Sequence, residues 1–125
     1  MSDKRRTVLV IEDTPDNLEL IKVLLEDAGL HTLEATTGRE GIEIAIAQRP
    51  HLILLDIQLP DISGYEVLRA IRNSPTNGDI PIIAITSYAM SGDREKLLGA
   101  GCNGYIEKPI DTDNVVNIIL NHIRE

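Results

Sequence analysis

Residues 51–56 read His51-Leu52-Ile53-Leu54-Leu55-Asp56, and they decide the fold. The aliphatic run lies between Pro50 and Pro60, short for a helix and apolar throughout, so it reads as a buried strand. A carboxylate closes it. An unpaired charge inside a protein is expensive, so Asp56 belongs at the mouth of the strand with partners around it.

Working outward, the same shape recurs. Residues 7–11 (Thr-Val-Leu-Val-Ile) form a β-branched apolar run that ends in Glu12-Asp13. Thr14 and Pro15 suit an N-cap followed by proline at the first helical position. Leu18, Ile21, Leu25 and Ala28 then recur at helical spacing with Leu24 beside them, and Gly29 supplies the stop. Residues 31–36 are a more polar strand, suited to a sheet edge. Thr37 with Glu40 resembles a capping box opening a helix whose apolar face is Ile42, Ala45 and Ile46. Beyond Asp56, the 59–62 loop leads to Ser63, which can cap a helix bearing Val67, Leu68 and Ile71. Residues 82–85 are a fourth strand, ending at Thr86. Residues 91–100 form a weakly patterned helix. A fifth strand around residues 104–106 runs into Glu107-Lys108-Pro109, and a last helix carries Val115, Ile118, Ile119 and His122 on one face.

Strands alternating with helices imply an α/β domain with a parallel sheet covered on both faces. Right-handed crossovers leave the flavodoxin-like doubly wound (βα)5 arrangement, five strands in the order 2-1-3-4-5, as the natural topology. The 125 residues suit one domain over residues 1–125, with 1–6 as a flexible start. With three Tyr, no Phe and no Trp, the core must be aliphatic. A formal net charge of -8 argues against a nucleic-acid face and against anionic membranes. One cysteine, Cys102, excludes an internal disulfide framework. With no apolar run of membrane-spanning length and no signal-peptide core, the expectation is a cytoplasmic protein.

In an open parallel sheet, ligands bind beyond the carboxyl ends of the strands where strand order reverses. Four strand ends converge there, bringing Glu12, Asp13, Asp56, Thr86 and Lys108. Crowded carboxylates repel, and a hard divalent cation relieves them; oxygen-only ligation with room for water and phosphate suits Mg²⁺. Asp56 is then placed to attack phosphorus and form an acyl phosphate. Thr86 can donate to a phosphoryl oxygen, and Lys108 can neutralise another.

Over essentially its whole length the chain resembles the receiver domain of two-component response regulators. The matching residues are Glu12-Asp13, Asp56, Thr86-Ser87 and Lys108-Pro109, each after an apolar strand, with the Leu59-Pro60…Gly64 loop and the Gly99…Gly101…Gly104-Tyr105 approach to the last strand. The resemblance implies that a phosphohistidine on a histidine kinase or phosphotransfer protein phosphorylates Asp56. It implies that Asp13, Asp56 and the main-chain carbonyl of Gln58 bind Mg²⁺, with Glu12 acting mainly through water. It implies that Thr86 and Lys108 hold the phosphoryl group, that the Lys108-Pro109 bond is cis, and that Tyr105 is the switch aromatic. The surface near Ala89, Met90, Tyr105 and the last helix would then change shape for a downstream protein, as a monomer or a phosphorylation-dependent dimer. Since the chain stops one helix after Lys108, the resemblance is to stand-alone receivers of the chemotaxis or cell-division kind, DivK-like regulators being the closer. Residues 91–102 also resemble receivers attached to hybrid kinases.

Blander readings exist for each residue taken singly. Asp56 could cap a turn, Glu12 or Asp13 could favour the first helix's positive end, and Thr86 could be a cap. Lys108 could be a solvated charge, Gln58 a surface residue and Tyr105 ordinary packing. Their joint position at four strand ends is what favours a site. Gly99-Ala100-Gly101-Cys102-Asn103-Gly104 fits the dinucleotide pattern, but it closes a helix and enters a strand, the reverse of what that fingerprint requires. A Mg²⁺-dependent aspartyl phosphatase would need a titrating residue where Gln58 stands. A flavin would meet repelling carboxylates and no Trp or Phe.

Overall fold

The computed structural model describes residues 5–75, 78–87 and 91–123, with the backbone alone at 91–93. The elements alternate as β1 (Thr7–Ile11), α1 (Pro15–Asp27), β2 (His31–Ala35), α2 (Gly38–Gln48), β3 (Leu52–Asp56), α3 (Gly64–Arg72), β4 (Ile82–Thr86), α4 (Ser91–Gly99), β5 (Gly104–Glu107) and α5 (Val115–His122). The five strands form one parallel sheet in the order β2-β1-β3-β4-β5, the doubly wound order expected. All of β3 and β4 is buried, whereas β2 buries only Thr32 and Ala35, as befits an edge.

The period of two along each strand divides the core. Val8, Val10, Leu52, Leu54, Ile83 and Ile85 face α1 and α5, meeting Ile21, Leu25, Val115 and Ile119. Leu9, Ile11, Ile53, Leu55, Ile82 and Ala84 face α2, α3 and α4, meeting Ala45, Leu68, Ile71 and Leu97. Both layers are aliphatic. Cys102 is buried in the second layer, and that burial pushes its thiol up to about 11 against the opposing pull of the Arg72 charge.

Three local expectations shift. Ala28 is exposed at the C-cap of α1 rather than on its buried face, and Gly29 follows at φ 85°. In α2 the buried residues are Gly38, Gly41 and Ala45, and Ile46 is left 45% exposed. The glycines explain this: the place a Gly41 Cβ would take is filled by Ile11, so the helix lies closest to the sheet along its glycine stripe and Ile46 rolls outward. The capping box is displaced by one residue. Thr37 Oγ1 accepts from the Glu40 N–H at 3.1 Å, but Glu40 reaches back to the N–H of Thr36 at 2.8 Å.

At the amino end of the sheet, Arg72 ties the last two crossovers together. Its guanidinium donates to the carbonyls of Gly101 (2.7 Å), Ile80 (2.6 Å) and Gly78 (3.1 Å), and to Asn103 Oδ1 (2.9 Å). The opposite, carboxyl end is left for chemistry.

Candidate functional site

Asp56 closes β3 and is 2% exposed. Glu12 follows β1 and is fully buried, while Asp13 beside it is exposed. β1 and β3 are neighbours, so their ends meet. One carboxylate oxygen from each of Glu12, Asp13 and Asp56 lies within 4.8 Å of the others. Oxygen donors at this spacing, one side open to solvent through Asp13, suit a hard cation that keeps water in its shell.

Lys108 enters from the end of β5. Its backbone N–H donates to the Thr86 carbonyl at 2.9 Å, anchoring the residue to the end of β4. Its Nζ then reaches Asp56 Oδ2 at 2.9 Å and Glu12 Oε1 at 3.3 Å. Burial works to lower the Lys108 pKa, but the hydrogen bond to Asp56 and the charges of Asp56 and Glu12 outweigh it and hold the ammonium above its ordinary value. The Lys108-Pro109 peptide bond is cis.

The other oxygen of Asp56, Oδ1, accepts from the backbone N–H of Gln58 at 2.9 Å. Gln58 itself is exposed, on the turn that leaves β3. Glu12 is held from the α1 side: its Oε2 accepts from the Thr14 N–H at 3.2 Å and its Oε1 from Asn17 Nδ2 at 3.4 Å. The Thr14 side chain makes no cap hydrogen bond of the kind expected; its own N–H is held by Glu12 instead. Burial pushes the Glu12 carboxyl from 4.5 up to about 7, the neighbouring Asp56 adds to the rise, and the Thr14 N–H and Lys108 oppose it.

Thr86 ends β4 and is 5% exposed, one residue past Ile85, which is the ladder partner of Asp56. Tyr105 stands apart from the carboxylates, half-buried on β5 opposite Ala84, with the Arg94 guanidinium 4.8 Å over its ring. A groove beside it runs between β5 and the start of α5, lined in part by Glu107, Asp111 and Val115. Ala89 and Met90 lie outside the described residues. The fold thus gathers Glu12, Asp13, Asp56, Gln58, Thr86 and Lys108 at one rim and leaves Tyr105 on the flank.

The contacts of Thr14, Asn17 and Asp61 were not legible beforehand. Asp61 accepts from the Gly38 and Arg39 N–H groups at 2.8 and 3.0 Å. The only sequence hint was an acidic residue in a turn, and its reach depends on the path of the loop.

A family model described as the response regulator receiver domain matches residues 8–120. The chain is 37% identical over 118 residues to the polar-differentiation response regulator DivK of Brucella anthropi, covering 94% of this chain and 96% of that protein. The DivK of Brucella ovis is similar at 36% identity over the same length. Among solved structures, the receiver domain of the sensor histidine kinase PA1611 from Pseudomonas aeruginosa PAO1, which has a magnesium ion coordinated in its active site cleft, matches at 34% identity with a TM-score of 0.87, covering 94% of this chain and 97% of that one. The chemotaxis response regulator CheY4 of Vibrio cholerae shares the fold, with a TM-score of 0.91 at 22% identity over 96% of this chain and 100% of that one.

Proposed function

The chain belongs to the response regulator receiver domain family, and from that premise we propose that it is a phosphorylation-dependent switch in which Asp56 takes a phosphoryl group from a phosphohistidine. The donor is a histidine kinase or a histidine phosphotransfer protein, and the reader is a downstream protein. One observation carries the reading: Lys108 Nζ bridges Asp56 and Glu12 while Asp13 closes a three-carboxylate cluster beside them.

The cluster suits Mg²⁺, which Asp13, Asp56 and the Gln58 carbonyl would hold with Glu12 acting mainly through water; bound there, the ion would offset negative charge near an incoming phosphate. The residues do the rest. Gln58 N–H and Lys108 fix the Asp56 carboxylate, so an oxygen is presented without rotation at the moment of attack. That oxygen forms a bond to phosphorus as the N–P bond of the phosphohistidine breaks, and the imidazole leaves with the bonding pair. Lys108 then pairs with the new phosphoryl oxygens instead of the carboxylate, and the Thr86 hydroxyl donates to another. Both shifts pull on β4 and β5 together, because the Lys108 N–H is bonded to the Thr86 carbonyl. Tyr105, on the same strand as that pull, is the residue whose turn inward reports it.

The test is incubation with Mg²⁺ and a small acyl-phosphate donor, read by intact mass. One added phosphoryl group in the wild type and none in Asp56→Asn is the expected result. An unmodified wild type, or equal modification of both, would overturn the reading.

A further inference from the structure

The turn that carries Gln58 is tied to a helix from an earlier part of the chain. The two carboxylate oxygens of Asp61 accept separately from Gly38 N–H at 2.8 Å and Arg39 N–H at 3.0 Å, the first two residues of α2. A helix start leaves its first N–H groups without intrahelical partners. Thr37 covers that of Glu40, and Asp61 covers the two before it. Donation from Gly38, resisted by burial and helped by the Arg39 N–H, holds the Asp61 carboxyl below its ordinary range, so it is ionised at neutral pH and the bonds are charge-assisted. Packing joins the same two segments: a Cβ on Gly38 would sit 2.6 Å from Ile62 Cγ1 and 2.8 Å from Val67 Cγ2.

The loop of residues 57–63 is pinned at its ends by backbone. Ile57 N–H donates to the Ile85 carbonyl at 3.1 Å, and Gly64 N–H donates to the Ile57 carbonyl at 3.0 Å. A Cβ on Gly64 would lie 2.6 Å from Ile57 Cα, so the loop closes tightly on itself there. Between these pins the grip of Asp61 on α2 is a side-chain tether, three residues after Gln58.

We propose that Asp61 is a positioning residue for the cation site: by gripping the start of α2 it holds the 57–63 loop in the path that presents the Gln58 carbonyl oxygen beside Asp13 and Asp56. This rests on the Mg²⁺ reading above. A helix cap that served stability alone would have no bearing on metal affinity, and that difference makes the inference testable.

The Mg²⁺ dissociation constant is measured by calorimetry for the wild type, Asp61→Ala, Asp61→Asn and Thr37→Ala, at low and at high salt. Thr37→Ala strips the other side-chain cap from the same helix end and is expected to lower stability while leaving Mg²⁺ affinity within about twofold of wild type. Asp61→Ala is expected to weaken Mg²⁺ binding roughly three- to tenfold, less than the about 10- to 100-fold of groups bonded directly to a metal ligand. Asp61→Asn keeps one accepting oxygen and loses the charge, so it falls between. High salt screens a through-space charge effect and spares a tether, so the deficits persist there. Wild-type affinity in Asp61→Ala, equal weakening in Ala and Asn that salt removes, or equal weakening in Thr37→Ala would each overturn the proposal. If Asp61→Ala does not fold, Asp61→Asn against Thr37→Ala at high salt decides it. Absence of Mg²⁺ binding by the wild type would remove the metal reading itself, and the inference with it.

Discussion

Glu12 is the residue under greatest electrostatic tension. It is fully buried, beside a second carboxylate, and among the described residues only Lys108 pairs with both. Its folded value of about 7 lies above the ordinary 4.5 of an unfolded chain. Between those values the folded protein keeps a proton that the unfolded chain releases, so the stability Glu12 contributes is full below 4.5 and is lost as pH rises through about 7. In metal-free protein, urea unfolding should therefore show the wild type losing ground to Glu12→Gln, on the order of 3 kcal/mol, as pH rises across that window. Parallel pH profiles for the two proteins would contradict it. Glu12, Asp13, Asp56 and Lys108 could be located from sequence because each follows an apolar strand directly, and strand ends converge in a parallel sheet. Asp61, Asn17 and the Thr14 N–H could not, because their contacts depend on how loops return across the rim.

Among the helices, α4 buries the fewest of its described side chains. Leu97 is its one buried side chain among the described residues, at 2% exposure, while Leu98 beside it is 44% exposed. Two cations help fasten the helix: Arg94 lies 4.8 Å over the Tyr105 ring on one side, and Lys96 lies 4.8 Å over the Tyr65 ring on the other. Such contacts are worth about 0.5–1 kcal/mol each at exposed sites. Denaturant unfolding should accordingly find Leu97→Ala costing about 2–4 kcal/mol and Leu98→Ala within about 0.5 kcal/mol of wild type. Similar losses at both positions would mean the helix sits differently. The weak periodicity of residues 91–100 already pointed to a helix with little to bury. The misreading of Ile46 has the opposite cause: α2 buries glycines, which carry no hydrophobic signal, so the apolar pattern suggested the wrong edge of its face.

Across the whole molecule, the sheet keeps tethering at one end and chemistry at the other. Arg72 binds the amino-end crossovers, while the carboxyl end gathers acids in a chain of net charge -8. A cation that binds the folded cluster and not the unfolded chain stabilises by mass action. At tenfold its dissociation constant Mg²⁺ should contribute about 1.4 kcal/mol, or roughly 4–5 °C in thermal melting, and a chelator or Asp56→Asn should abolish the shift. Melting that ignores Mg²⁺, Mn²⁺ and Ca²⁺ alike would count against the site. The order 2-1-3-4-5 was readable because fully apolar strands alternate with helices, and handedness then leaves little choice.

Cys102 has a practical bearing. Alkylating reagents attack thiolates, and this thiol is buried with its ionisation displaced to about 11. It is also the only cysteine in the chain. At neutral pH a maleimide dye therefore passes it over, and a thiol introduced by Glu95→Cys on the exposed side of α4 becomes the single point of labelling. The native chain thus takes a fluorescent reporter on α4 with no cysteine removed.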